Sequence, residues 1–170
     1  MGGSVFLTLF FGLFVAIGIG ILGYGVHALN QAQQAAHWPT VEGRITASDF
    51  EIDSDSDGTT YRTRVAYDYN AMGRMMTGKT IAFGYAGSSS EKFHRDVYNA
   101  LPVNTQVAVR YDPSNPERSV LSFGVNNSII FMIIFGAIWT FFTFGLIAIF
   151  WLGGQGADKL LANMIIYSRG

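Results

Sequence analysis

The chain has 170 residues, of which 49% are hydrophobic and only 14% are charged, and its formal net charge is −1. A soluble domain usually carries about 25% charged residues. The shortage is confined to two stretches, 4–26 and 128–152, which contain no charged residue at all. This pattern disfavours an ordinary soluble protein and indicates two apolar segments around a polar centre.

Each apolar stretch is long enough to cross a bilayer, since a helix needs about 20 apolar residues to do so. We predict transmembrane helices at 5–29 and 128–152, because neither stretch shows a polar face. A buried helix hairpin in a soluble protein is the alternative for both. A cleaved signal peptide is the alternative for the first, although the run exceeds the usual 7–15 apolar residues.

The spans contain a helix-packing motif but no Asp, Glu, Lys or Arg. Gly12, Ala16 and Gly20 recur every four residues, and small-xxx-small faces let helices approach closely in lipid. The expected partner is the second span, through Gly136 or Gly145, or a second copy of the chain. Because no Asp, Glu, Lys or Arg lies within either span, a transporter or pump is disfavoured.

Two short tails, 1–4 and 153–170, set the expected orientation. Lys159 and Arg169 favour cytoplasmic termini, because long loops translocate largely regardless of charge. We therefore expect a multi-pass protein of a bacterial inner (cell) membrane whose central domain is extracytoplasmic. The tail also predicts a short interfacial amphipathic helix with an apolar face of Leu160, Leu161, Met164 and Ile165.

The central domain, 30–127 with a core at 37–124, shows strand and helix periodicity in turn. Alternation predicts strands at 38–50, 61–69, 75–83, 106–111 and 119–123. In the first of them, Val41, Gly43, Ile45 and Ala47 are predicted to face inward. In the second, Tyr61, Thr63, Val65, Tyr67 and Tyr69 are predicted to share the inward face. Between the third and fourth strands a helix is predicted, with a capping box at Ser88 and Glu91 and an inward face of Phe93, Val97 and Leu101.

The element order is therefore β-β-β-α-β-β, which is the order of the five-stranded OB-type barrel. Closure into a barrel would remove the exposed edges of a small sheet. The predicted fold is a membrane α plus all-β protein, with two transmembrane helices flanking an OB-like barrel. An SH3-like barrel or an open sandwich is the alternative.

The acidic segment Asp53-x-Asp55-x-Asp57-Gly58 matches the first half of a calcium-binding EF-hand loop. Its twelfth position is Arg64, where a bidentate Glu is needed, and its flanks are strands. We expect a solvated hairpin loop here, with a shortened calcium loop as the rival interpretation.

Other candidate chemistry is sparse. The histidines, His27, His37 and His94, are scattered, and the chain has no cysteine, so no metal or cofactor is expected. Three consecutive serines, 88–90, are better explained by a helix cap than by a nucleophile. We expect no enzyme and no catalytic residue.

Trp38 and Pro39 follow the first apolar stretch directly. Tryptophan prefers the membrane–water interface, and proline ends a helix. This pair predicts the joint between the membrane segment and the barrel, and a ligand-stacking tryptophan is the rival interpretation.

Several short motifs coincide between the two apolar stretches. They are Trp38-Pro39 followed by Gly43, the strand 65–69, Gly73, the turn formed by Tyr111, Asp112, Pro113, Asn115 and Pro116, and the segment 119–121. Together they resemble the DUF3592 family of small membrane proteins, whose function is unknown. The turn is the most specific part. Family members often have Gly where this chain has Asn104, a residue that tolerates a left-handed backbone. The resemblance implies the architecture and transfers no catalytic residue.

These observations favour a non-enzymatic, membrane-anchored binding or accessory module. It would present its barrel to a protein partner or an envelope ligand. The alternative is a structural subunit of a membrane complex that acts through helix packing. Expected partners are the lipid bilayer and a membrane or envelope protein, or a second copy of the chain in a homo-oligomer. Nucleic acid is not expected, because 37–124 holds nine Lys or Arg and eleven Asp or Glu.

Overall fold

The structure is a computed structural model that describes residues 2–154 and Ala162. The chain divides into two compact units, 1–23 with 133–170 and 24–132. The elements are α1 (Gly2–Ala35), β1 (Thr40–Asp55), β2 (Gly58–Ala71), β3 (Arg74–Gly78), α2 (Glu91–Ala100), β4 (Gln106–Asp112), β5 (Asn115–Val120) and α3 (Asn127–Gly154). The amphipathic helix predicted around 160–165 lies outside the described residues.

Two helices, α1 with 34 residues and α3 with 28, are long and apolar enough to cross a membrane. Their most apolar windows have mean hydropathies of 2.7 and 2.3, and only 6% and 17% of those windows are buried. Helices in the core of a soluble protein bury most of their apolar side chains, so this exposure argues against the buried-hairpin alternative. Helix α1 continues past the predicted end at Leu29, because nothing that breaks a helix precedes Pro39.

The central unit is built on a five-stranded antiparallel sheet in the order β3-β2-β1-β4-β5. The predicted succession of three strands, a helix and two strands is confirmed. The inward phase of β2 is also confirmed, because Thr63, Val65, Tyr67 and Tyr69 are buried while Arg62 and Arg64 are exposed. The main apolar core consists of Val65, Tyr67 and Tyr69 from β2 together with Ile45, Ala71 and Val109.

The sheet is open, so the predicted closed barrel is wrong. Strand β3 has five residues and β5 has six, and no ladder joins these two edge strands. Beyond their ends, the link consists of an isolated parallel bridge between Ala82 and Ser122 and two neighbouring backbone hydrogen bonds. Strands β3 and β5 end before they can pair with each other and close the barrel.

A β-bulge interrupts β1. The pairing with β2 slips between Ile45 and Ala47, so the inward phase moves by one residue. Val41, Gly43 and Ile45 lie on the inward phase as predicted. The prediction for Ala47 is wrong, because after the bulge Ser48 and Phe50 lie opposite the buried residues of β2.

Several predicted boundaries also differ. The acidic loop is a tight turn at Ser56-Asp57 in a long hairpin, since β1 runs to Asp55 and β2 starts at Gly58. Strand β3 ends at Gly78 instead of Phe83, and β5 starts at Asn115 instead of Ser119. Local alternation cannot reveal these limits, because strand length depends on which partner strand is available.

Candidate functional site

A cleft of about 480 Å³ lies beside β2, where β3 leaves the sheet. Strand β2 pairs with β3 only from Tyr67 onward, opposite Gly78, and is met again at Tyr61 by a bridge to Ser88. Between these two points the chain departs from β2 and leaves the cleft open. The lining residues are Ala47, Asp49, Arg62, Thr63, Arg64, Val65, Ala66, Lys79, Thr80, Ile81, Ala82 and Tyr85.

The segment after β3 departs because its backbone bonds to the far side of the sheet. The carbonyl of Thr80 accepts from the N–H of Leu121 at 3.3 Å, and that of Ile81 accepts from the N–H of Ser122 at 2.7 Å. The backbone of this segment therefore does not pair with the backbone of β2. The cleft is a consequence of this exchange of partners.

The cleft is polar and carries more positive than negative charge. Arg62, Arg64 and Lys79 contribute cations, and Asp49 contributes a carboxylate. Arg64 is already engaged, because its Nε lies 2.6 Å from Oε2 of Glu51. No ion pair to Arg62 or Lys79 occurs within the described part of the chain.

A buried histidine lies next to the cleft, in contact with the lining residue Tyr85. His94 on α2 has no exposed surface, and both ring nitrogens have partners. The hydroxyl of Tyr85 lies 2.7 Å from Nδ1, and Oγ of Ser88 lies 2.9 Å from Nε2. Thr63 donates its hydroxyl to the His94 carbonyl at 2.6 Å. His94 therefore fastens α2 to β2 through its carbonyl, and to the segment that leads into the helix through its imidazole.

A serine beside an imidazole is also the geometry of an activated nucleophile. Burial lowers the pKa of His94, and the positive charge of Arg62 lowers it further. Both effects oppose formation of an imidazolium, which a general base must become during the reaction. The third member is the hydroxyl of Tyr85 instead of a carboxylate that would stabilise that cation. The arrangement suits a structural clasp better than a catalytic centre.

Sequence reasoning missed this clasp. The predicted capping box is wrong, because Ser90 occupies the N-cap position without a side-chain cap and Ser88 contacts His94 instead. The helix face is also rotated, since Phe93 is 47% exposed while His94 is buried. A helix face can contain Phe93 or His94 together with Val97 and Leu101, since both spacings fit the helical period. Hydrophobicity alone favoured Phe93, whereas the structure buries His94.

Trp38 lies at the junction between α1 and β1, where the joint was predicted. Its ring is 8% exposed and packs with Ala35 and Val120, and it meets the ring of Phe83 edge-on at 5.8 Å. A ligand-stacking tryptophan needs an open ring face, so this burial argues against the rival interpretation. That Trp38 and Pro39 lie at the level of a membrane interface stays a prediction.

Two polar side chains fasten the helix ends to the rest of the central unit. Nη1 of Arg110 on β4 donates to the carbonyls of Ala36 at 2.7 Å and Trp38 at 3.2 Å, next to the C-terminus of α1. Asn126 accepts the N–H of Ile129 through Oδ1 at 3.1 Å, which caps α3, and its amide nitrogen donates to the carbonyl of Phe83 at 2.7 Å. Hydrophobic periodicity carries no signal for either contact.

The turn that carries the family resemblance joins β4 to β5. Asp112 pairs with Asn115 across Pro113-Ser114, and Oδ1 of Asp112 accepts the N–H of Ser114 at 2.9 Å. Pro116 offers its carbonyl to the hydroxyl of Tyr69 at 2.7 Å, while Tyr111 lies against the main core. Asn104, in the turn before β4, has a φ of +73°, so the expected left-handed backbone is confirmed.

The predicted helix-packing residues do not meet the second helix within the described chain. Gly12, Ala16 and Gly20 are exposed, and a side chain added at either glycine would meet nothing within 4 Å. In the unit that contains them, α1 and α3 approach instead through Gly18 and Gly136. A Cβ at Gly136 would lie 2.7 Å from the backbone nitrogen of Leu22. Packing of the predicted face against a second copy stays a prediction.

The acidic hairpin tip is held by hydrogen bonds from its backbone to the side chain of Asp55. Oδ1 of Asp55 accepts the N–H groups of Asp57 at 2.9 Å and Gly58 at 3.1 Å, which is an Asx turn. Among the described residues, no three His, Asp or Glu side chains are placed to hold a metal ion.

The comparisons with known proteins bear on the central unit. No curated protein matches the chain, and no solved structure matches it. The family model for DUF3592, a domain of unknown function, matches residues 41–126, half of the chain, and so confirms the resemblance drawn from the motifs. The matched region begins in β1 and ends at the residue that caps α3. The chain therefore belongs to the DUF3592 family.

Proposed function

We propose that this chain is a non-enzymatic, membrane-anchored binding module. Helices α1 and α3 cross a bacterial inner (cell) membrane, and the sheet is presented at its surface to a protein partner or an envelope ligand. One observation carries the proposal: Arg110 fastens the end of α1 to β4, and Asn126 fastens the start of α3 to the segment that follows β3. Two such attachments restrain the sheet relative to these helix ends more than a single flexible linker would.

Anchoring and orientation are tested separately from binding. Alkaline carbonate extraction should leave the full chain in the membrane pellet. A reporter active only in the cytoplasm should work at the C-terminus, and an exported reporter should work when inserted at the exposed hairpin tip beside Gly58. Release by carbonate contradicts the anchor, and the reverse reporter pattern contradicts only the orientation.

Helix packing is the second candidate function, and the open face of α1 favours it. Gly12 and Gly20 are exposed, and a side chain added at either would meet no described residue within 4 Å. Small residues on one face let a second membrane helix approach closely. A structural subunit of a membrane complex, or a homo-oligomer, would use such a face.

A span exchange separates the two candidates. Residues 5–23 and 133–152 are replaced by unrelated apolar helices, which leaves the unit 24–132 intact. Partners are then recovered in mild detergent and identified by mass spectrometry. A binding module keeps the partners of the original chain, whereas a packing subunit loses them. In the original chain, Gly12→Leu with Gly20→Leu should leave recovery unchanged for a binding module and abolish it for a packing subunit.

A further inference from the structure

The cleft beside β2 concentrates positive charge in an otherwise acidic domain. Residues 37–124 carry nine cationic and eleven anionic side chains, yet the lining of the cleft holds Arg62, Arg64 and Lys79 against Asp49. Arg62 and Lys79 lack an ion pair among the described residues. Two guanidinium or ammonium groups beside one cavity attract an anion, and guanidinium groups match the oxygens of phosphate well.

The shape of the cleft selects a compact ligand. One end is closed where Tyr67 pairs with Gly78, and the other where Tyr61 bridges to Ser88. An extended peptide cannot run along β2 between these two closures. A volume of about 480 Å³ lies within the range of small-ligand sites, which is about 300–1,000 Å³.

The backbone of β2 adds a donor that faces the cleft. In an antiparallel strand, alternate residues direct both their N–H and C=O to the same side. Tyr61 and Tyr67 bond toward the side of β3, and the N–H of Thr63 reaches the hydroxyl of Tyr85 there at 3.3 Å. By this alternation the N–H of Val65 faces the cleft, where no strand of the described residues lies opposite. A phosphate oxygen is a suitable acceptor for it.

The cleft lies close to the helix ends that belong to the same unit. Gly84 precedes the lining residue Tyr85, and a Cβ at Gly84 would lie 2.6 Å from Cγ1 of Ile129 and 3.3 Å from Cβ of Ala28. Ala28 and Ile129 are at the ends of the predicted spans. If the helices are anchored as proposed above, the segment that lines the cleft lies at the level of lipid headgroups.

We propose that this cleft binds the phosphate group of an anionic phospholipid headgroup. Arg62 and Lys79 contact the phosphate oxygens, and the N–H of Val65 contributes a backbone donor. The positive lining disfavours headgroups that end in an ammonium group. This assignment rests on the proposed membrane anchor, since it is the anchor that brings lipid phosphates to the cleft.

The test uses the full chain purified in mild detergent and native mass spectrometry of bound phosphatidylglycerol and phosphatidylcholine. The cleft variant is Arg62→Gln with Lys79→Gln. The control, Arg74→Gln with Lys92→Gln, removes the same charges at exposed positions of β3 and α2 outside the lining. The original chain should prefer phosphatidylglycerol. The cleft variant should bind it at least about tenfold more weakly, as expected for lost charge-assisted hydrogen bonds, and the control should stay within about twofold.

Equal loss in both variants, or no loss in either, overturns the site. Unchanged limited-proteolysis patterns exclude misfolding, and Arg62→Lys with Lys79→Arg, which keeps both charges, should retain most binding. Titration of the same samples with inorganic phosphate distinguishes the source. Cleft-dependent phosphate binding without a preference for phosphatidylglycerol overturns the lipid assignment. Carbonate extraction reports on the anchor independently, so failure of the anchor and failure of the site are distinguishable.

Discussion

The ring of Tyr67 lies across Gly78 in the β2–β3 pair, and its hydroxyl reaches beyond β3. The hydroxyl donates to the carbonyl of Thr80 at 3.0 Å and lies 3.1 Å from Oγ of Ser119. Burial raises the pKa of Tyr67 to about 12, so the phenol stays protonated and able to donate. One side chain thus connects β2, the segment that lines the cleft, and β5.

This contact makes Gly78 intolerant of any side chain. A Cβ there would collide with Cε2 of Tyr67 and Oγ of Ser119. We expect Gly78→Ala to lower the free energy of unfolding of the sheet by about 1–3 kcal/mol, the usual cost of overpacking. Urea denaturation, monitored by amide hydrogen exchange, measures this loss of stability. Exposed Lys79→Ala is the matched control, and an equal loss there contradicts the close approach.

Removal of the Tyr67 ring should be more damaging. Tyr67→Ala leaves a large cavity and should cost roughly 3–5 kcal/mol, out of about 5–15 kcal/mol for a whole domain. Arg64→Ala, on the exposed face of the same strand, should cost within about 0.5 kcal/mol. Limited proteolysis of the membrane-embedded protein compares the two variants. Similar susceptibility would mean that β2 is buried on both faces.

The β2–β3 turn is strained at Met72. Its φ is +53°, next to Gly73 at +78°, and its side chain is 71% exposed. A left-handed backbone costs most residues roughly 1–2 kcal/mol, and Asn pays less because its side chain bonds locally. Met72→Asn should therefore stabilise the sheet by about 0.5–1 kcal/mol. A lower urea midpoint for this variant would show that Met72 makes contacts worth more than the strain.

His94 should make the sheet sensitive to acid. Its pKa is lowered in the folded state by burial and then by Arg62, whereas an unfolded histidine titrates near 6.5. The unfolded chain therefore binds a proton first as the pH falls. Stability is full above about pH 6.5 and declines below it toward the folded pKa. Urea midpoints at pH 7, 6 and 5 should decrease for the original chain and for His37→Gln, but hardly for His94→Gln. If the urea midpoint of His94→Gln falls with pH as steeply as that of the original chain, another group causes the effect.

The helix pair depends on Gly136. A Cβ there would lie 2.7 Å from the nitrogen and 2.9 Å from Cα of Leu22, whereas Gly145 has open space. We expect Gly136→Ala to destabilise the pair by about 1–3 kcal/mol, and Gly145→Ala to be neutral or slightly stabilising. Thermal unfolding in detergent, followed by circular dichroism, compares them. Equal midpoints would contradict the close approach of α1 and α3.

The sequence by itself determined the two apolar helices, the order of the strands and helix, and the inward phase of β2. These features follow from composition and period, which act over a few neighbouring residues. It also determined the family, because Trp38-Pro39 and the turn at 111–116 are local motifs. The left-handed backbone at Asn104 is predictable for the same reason.

Only the tertiary structure decided that the sheet stays open, that β1 carries a bulge, and that His94 is buried in place of Phe93. Each depends on which distant group is available as a partner. Thr80 and Ile81 bond toward β5 and so leave β2, which creates the cleft. Arg62 lies in β2 and Lys79 follows β3, and Arg110 reaches a carbonyl next to the end of α1 that is more than 70 residues away. Such long-range contacts have no period in the sequence, so hydrophobic patterning does not predict them.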